Sequence, residues 1–503
     1  MKHRVFIAIT LVSLAACGGG HVAPPVANRD EHGRTTLATP VPNTTADWSQ
    51  FGFDQQRDSY NGVENILSPS TVPSMQLKWS SHLDNGIIAQ PLLLHAVTIG
   101  GITRPVLYVA SFFHLFAIDA NASTGTTAKV LWNQTLASTT TSCAGSSVHN
   151  GAWATPYIDK ASQRIYLVDG ARNLDAYNIV TGSKIYSTQV VSYINGGVDS
   201  ALSFDPSSGR LFIGTALRCG YENDASTPMH GQVVSYTASS GARLGAFTTV
   251  TSSGYYGGSI WGMGGVSIDP ATRTLFTATG NSWPTSTTTG QHTNYAEHII
   301  QLSTVLQVLA SHYPGVGNGD KDFGATPTLF QPAGCPAMAA LSNKDGELLV
   351  YNRSSISSGP IARIPMANSY PGDFINAPAF DPATQMLYET SSTDAPSSTL
   401  YKHGLTAFSF VSCKPQRAFN IAEGTVAPTG PNPTGDVYSS PTVADGVVYF
   451  GAGTTNVVYA NDARTGALLW RSPVLAGTAQ ISPMVVNGRL YVVAGGTIYA
   501  FGR

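Results

Sequence analysis

From Ala46 onward the apolar residues fall in short runs of strand length, and the runs return in a fixed order. Each unit has a β-forming run, an aromatic flanked by small residues, a turn that is often Thr-Gly or Ser-Gly, and another β-run. The clearest copies are Leu115–Asp119, Leu174–Asn178, Val233–Tyr236 and Val457–Asp462. Weaker ones are Ile299–Ser303, Leu348–Asn352 and Leu405–Phe408, and the last is Thr497–Phe501. Seven copies follow a second strand phrase of one type, such as Val106-Leu-Tyr-Val109, Met386-Leu-Tyr-Glu389 and Arg489-Leu-Tyr-Val492. Copies lie roughly 40 to 66 residues apart, the length of one propeller blade with loop insertions. Two strands joined by a tight turn bury little alone; stacked radially, neighbouring units cover each other's faces.

The final copy stops at Arg503 without the outer strand that the others carry. The early phrase Met75-Gln-Leu-Lys-Trp79-Ser has the character of that strand, and pairing it with the last unit removes a raw sheet edge. The expectation is an all-β chain: one closed β-propeller of eight four-stranded antiparallel blades over residues 47–503. Composition agrees. Charged residues are only 11% of the chain, while Gly (51) and Pro (30) are abundant. A net charge of −2 gives no basic footprint for nucleic acid.

The N-terminus predicts export. Lys2 and Arg4 precede an apolar run, Val5 to Leu14, too short to span a bilayer as a stable helix. Leu14-Ala-Ala-Cys17 then resembles a bacterial lipobox, so residues 1–16 read as a signal peptide and Cys17 as the lipidated first residue. Gly18 after the Cys favours an outer-membrane lipoprotein of the cell envelope, facing the periplasm or the cell surface. Residues 17–46, rich in Gly, Pro, Thr and Ala, read as a flexible tether. Cys143, Cys219, Cys335 and Cys413 remain; in an oxidising compartment they suit one or two disulfides, with three pairings open. No Cys-x-x-Cys-His run exists, so no c-type haem is expected, and the Cys spacing does not suit structural zinc.

Candidate chemistry gathers between Gly257 and Arg353. Trp261 is an aromatic plate, Asn281 an amide at a strand end, Asp320 and Asp322 a close carboxylate pair, and Lys344 a lysine on a hairpin. A redox cofactor, a divalent or trivalent cation and a general base would need such groups. The repeats over nearly the whole mature chain, with the opening Asp47-Trp48-Ser-Gln-Phe51-Gly and Leu77-Lys-Trp79, resemble the pyrroloquinoline-quinone (PQQ) dehydrogenase-like propellers. The likeness is to the quinoprotein alcohol dehydrogenases and polyvinyl-alcohol dehydrogenases.

The resemblance implies roles for individual residues. Trp261 would lie under the quinone; Asn281 and Asp322 would hold Ca²⁺ or a lanthanide; Asp320 would be the general base; and Lys344 would polarise the quinone oxygens. The sequence departs from the family at two points. Cys219 stands where the family has a metal-binding Glu, leaving Glu222 as a nearby substitute ligand, and the family's adjacent Cys-Cys pair is missing.

The expected function is an exported quinoprotein-like dehydrogenase that oxidises an alcohol, polyol or polymer and passes electrons to a separate acceptor. The alternative is a non-catalytic scaffold that binds envelope proteins, as in the lipoprotein of the β-barrel assembly machinery. A third option, a carbohydrate- or polymer-binding surface, rests on Tyr- and Thr-rich loops such as Tyr255-Tyr256, read as exposed.

Overall fold

The computed structural model describes residues 27–29, 35–37 and 44–503, except 144–145, 194–195, 218–228, 286–290, 317–318, 369–375, 397–398 and 425–437. The side chains of 142–149 are likewise outside it. Residues 1–16, read as a signal peptide, Cys17 and most of the expected tether therefore fall outside the described residues. Within the N-terminal unit, Met1–Pro42, Ala27–Arg29 pairs antiparallel with Thr35–Leu37.

The described residues of the second unit, Asn43–Arg503, form eight blades of four antiparallel strands, and Tyr60–Asn61 adds a short parallel fifth strand to blade 7. Blade 1 runs Leu92–Ile99, Ile102–Ala110, His114–Thr124 and Thr127–Thr135. Blades 2 to 7 follow in chain order with the same meander. Blade 8 takes Met484–Val486, Arg489–Ala494 and Thr497–Gly502 from the end of the chain and Gln76–His82 from its beginning. The closure read from the sequence is thus present: Leu77 pairs with Phe501 and Trp79 with Ala500.

The repeated phrase has a physical cause. Its aromatics bind the next blade: the Tyr108 hydroxyl donates to the Ile179 carbonyl (3.0 Å), and Tyr388 donates to Ala463 (2.6 Å). Both hydroxyls are buried, so each needs such a partner. The receiving turns are shaped by an Asn or Asp placed just before Thr-Gly. Asn178 Oδ1 accepts from the Val180 and Thr181 amides, and Asp462 Oδ1 from those of Arg464 and Thr465. Gly182 and Gly466 then turn back with φ of 72° and 76°.

The opening segment also visits every blade. Trp48 exchanges backbone hydrogen bonds with Leu93 of blade 1, and the Ser49 carbonyl accepts from Ile158 of blade 2. The Gln55 side chain donates to the Phe204 carbonyl of blade 3, while its own carbonyl accepts from Ile268 of blade 4. Gln56, Asp58 and Ser59 accept from Leu329, Phe380 and Val443 of blades 5, 6 and 7, and Asn61 Nδ2 donates to Val485 of blade 8. All are innermost strands, so residues 48–61 run around the inner edge of the ring. Arg57, fully buried, fastens this belt through Gln50, Phe51, Leu202 and Ser203.

Between blades 5 and 6 lies a disulfide, Cys335–Cys413. Cys219 and the side chain of Cys143 lie outside the described residues.

Candidate functional site

Every side chain of the site stands at one of two equivalent places in a blade: the connection into the innermost strand, or the loop between the second and third strands. In an antiparallel meander both places open on the same end of the ring. Blade 5 sends Asp320 and Asp322 from its incoming connection, before Thr328–Phe330. It sends Lys344 from the turn between Met338–Ser342 and Glu347–Asn352. Blade 4 sends Trp261 from the connection before Ser267–Ile268, and Asn281 and Trp283 from the loop after Leu275–Ala278. Blade 3 adds Asp199 and Leu217 in the same two positions. All of these except the fully buried Asn281 line a cavity of about 190 Å³. Beside Trp261, Met263 packs with Phe51 of the belt, Ala201 and Ala377 in a small apolar cluster.

The polar contacts form one network. Lys344 Nζ lies 2.7 Å from Asp320 Oδ1 and 2.9 Å from Asp322 Oδ1, and 4.4 Å from the centre of the Trp261 ring. Trp261 Nε1 donates to Asp322 Oδ2 (3.1 Å), as does the Asn281 backbone amide (3.2 Å). Asn281 Nδ2 donates to Asp320 Oδ1 (3.0 Å). Asn281 is fully buried, and its Oδ1 has no hydrogen-bond partner.

Local sequence explains the fit. Gly280 brings its backbone against Asp322, where a Cβ would stand 2.8 Å from Oδ2, so the Gly of Thr-Gly-Asn281 is required by that approach. The Lys344 turn is built by Asn343, whose Oδ1 accepts from the Asp345 and Glu347 amides (both 3.1 Å). The Lys344 amide donates to the Asp322 carbonyl (3.0 Å), joining the two loops of blade 5.

Protonation follows from burial and charge. Burial raises Asp320 above the ordinary carboxylate range and Asp322 adds to this, while Lys344 opposes it. For Lys344, burial alone would lower the pKa, but Asp322 and Asp320 outweigh it and hold the ammonium above its usual value. Glu297, nearly fully buried behind the site, is pushed up to about 8 by burial and then by the charge of Asp322.

Trp261, Asn281, Asp320, Asp322 and Lys344 therefore meet in one network. Glu222 lies outside the described residues. Trp283, Asp199 and Glu297 were not expected. Trp283 had a faint signal in Asn281-Ser-Trp283, and Asp199 and Glu297 had none. Tyr255-Tyr256 is not the exposed loop expected: Tyr256 is buried and stacks on Trp283, because 255–257 pairs with 282–284 as a short ladder.

The donor set suits a hard cation: two carboxylates and a buried amide oxygen are oxygen ligands of the type that Ca²⁺ and lanthanides take. Among the described residues no three His, Cys, Asp or Glu side chains converge as a complete metal site. The flat Trp261 face suits a planar cofactor.

Solved structures with this fold are numerous, and three define it. The quinohemoprotein alcohol dehydrogenase from Comamonas testosteroni superposes with a TM-score of 0.66 at 15% identity, covering 92% of this chain and 81% of that one. A europium-containing methanol dehydrogenase gives 0.66 at 13% identity, covering 91% and 98%. The fold is that of the quinoprotein dehydrogenase propellers. BamB from Moraxella catarrhalis shares the quinoprotein-type fold more loosely, with a TM-score of 0.52 at 12% identity, covering 85% and 100%. A family model described as outer membrane protein assembly factor BamB matches residues 417–502. No curated protein matches the chain.

Proposed function

We propose that this chain is a lipid-anchored dehydrogenase of the bacterial envelope that oxidises an alcohol, polyol or polymer hydroxyl with PQQ and a bound Ca²⁺ or lanthanide. One observation carries this reading: Trp261, Asp320, Asp322 and Lys344 line one cavity, and Asn281, buried behind it, joins them in one hydrogen-bond network. Trp261 would hold the quinone by its face, and Asn281 and Asp322 would hold the cation, with Glu222 as a further carboxylate. When bound, the cofactor supplies the two-electron acceptor.

The remaining work belongs to the protein. Asp320 takes the proton of the substrate hydroxyl on its carboxylate, and it must be ionised to do so; the Lys344 ammonium beside it favours that form. Asn281 Nδ2 fixes the orientation of the same carboxylate. Trp283 and Leu217 give the cavity apolar walls against which the carbon skeleton of a substrate would pack. Lacking a haem motif, the chain hands its electrons to a separate acceptor.

The test is dye reduction by the full chain supplied with PQQ and Ca²⁺ or La³⁺, across a panel of alcohols and polyols. Asp320→Asn should lower turnover by about 100-fold or more while the cofactor still binds. Equal turnover in the variant would remove Asp320 from the mechanism.

A second reading, a protein-binding scaffold of the outer membrane, is favoured by the family match over residues 417–502. Capture of envelope proteins by a chain that reduces no dye under any metal condition would select it.

A further inference from the structure

The cation attributed to this site and the ammonium of Lys344 need the same oxygens. Asp322 Oδ2 is already taken by two donors, the Trp261 indole and the Asn281 amide, at 3.1 and 3.2 Å. The oxygen left to it, Oδ1, faces Lys344 Nζ at 2.9 Å. Asp320 Oδ1 likewise receives Lys344 at 2.7 Å and Asn281 Nδ2 at 3.0 Å. The ammonium thus bridges the carboxylate pair from inside, with only 5% of the lysine exposed. Beside it the Asn281 Oδ1 acceptor is buried without a hydrogen-bond partner.

A hard cation held by Asp322 seeks six or more oxygens and cannot share Oδ1 with a positive charge at hydrogen-bond distance. We propose that Lys344 is the resting occupant of the cation position, a built-in counter-ion that Ca²⁺ or a lanthanide must displace before the site is loaded. This rests on the cation part of the proposed function and adds to it a competition and an order of assembly. The displaced ammonium must also leave the Trp261 ring, since Nζ stands 4.4 Å from the ring centre in the same position from which it bridges the aspartates. That withdrawal clears the ring face on which a planar anionic ligand would lie. The cation therefore enters first. Its entry frees Lys344 to meet that ligand.

The probe is Tb³⁺ alone, without quinone, bound to the full chain and read by luminescence excited through the indoles. Trp261 is the natural donor, since its Nε1 touches Asp322. Lys344→Met should bind one Tb³⁺ at least tenfold more tightly than wild type, Lys344→Arg should stay near wild type, and Asp322→Asn should lose the signal in either background. Should Lys344→Met fold poorly, the wild type still decides. Its Lys344 side-chain ammonium resonance, slow to exchange while bridging the aspartates, should shift or vanish as diamagnetic La³⁺ is added.

Equal affinity of Lys344→Met and wild type, with Asp322→Asn still abolishing binding, would overturn the competition and leave the cation site standing. So would an ammonium resonance unmoved at saturating La³⁺. Binding indifferent to Asp322→Asn would place the ion elsewhere and overturn both the competition and the cation part of the functional reading.

Discussion

At the scale of single residues, the buried charges near the site have consequences for stability. Glu297 is pushed up to about 8, so between the ordinary carboxylate pKa and that value the folded chain holds a proton that the unfolded chain has lost. Its contribution is fully present at low pH and is lost as pH rises through this window. His298, driven down to about 4 from an ordinary 6.5 by burial, acts in the opposite sense between those values, and the two largely cancel there. Above that range Glu297 acts without His298. Glu297→Gln should therefore remove a fall in unfolding free energy on the order of 2 kcal/mol between about pH 6.5 and 8. Urea unfolding of both proteins across that range checks it; identical pH profiles would mean that the carboxyl is ionised throughout. Trp261, Asn281, Asp320, Asp322 and Lys344 were legible through the resemblance to the quinoprotein propellers, since Asn, Asp and Lys beside turns are by themselves ordinary. Glu297 was not, because its role comes from how one loop of blade 4 folds behind Asp322, and no local pattern encodes that.

At the scale of elements, the repeated phrase exposed most second and third strands because their tyrosines have a job between blades. The second strand of blade 5, Met338-Ala-Ala-Leu-Ser342, escaped because alanines stand where the other copies have an aromatic. It still pairs fully, Met338 to Asn352 through Ser342 to Leu348, since the ladder needs backbone rather than ring. The belt of residues 48–61 was also hidden. It has no strand periodicity, and Phe53, Arg57 and Ser59 have φ of 72°, 60° and 53°, a backbone that only the surrounding blades explain. The pairing of Cys335 with Cys413 could not be read from spacing, because blade packing brings the two together. Their sequence separation of 78 makes the closed loop long. Replacing both by Ser should cost about 4 kcal/mol by the chain-entropy estimate, read as a lower denaturant midpoint. An unchanged midpoint would mean that the packing of blades 5 and 6 suffices alone.

At the scale of the whole molecule, the ring is what makes a site out of distant loops. Two loop positions recur in each blade, and closure turns them toward one mouth, so blades 3, 4 and 5 can deliver acids, indoles and an amine to one cavity. Closure itself was legible in Met75-Gln-Leu-Lys-Trp79-Ser, which has the character of an outer strand, and Gln76–His82 does pair with Thr497–Gly502. The central claim is that this mouth takes PQQ together with a hard cation. The direct measurement is an equilibrium titration of the full chain with PQQ, with and without La³⁺ or Ca²⁺, followed by quenching of indole fluorescence. The account predicts saturation at one quinone per chain, dependence on the cation, and loss in Trp261→Ala and Asp322→Asn. Absence of saturable quenching under every metal condition, or binding untouched by both substitutions, would contradict it.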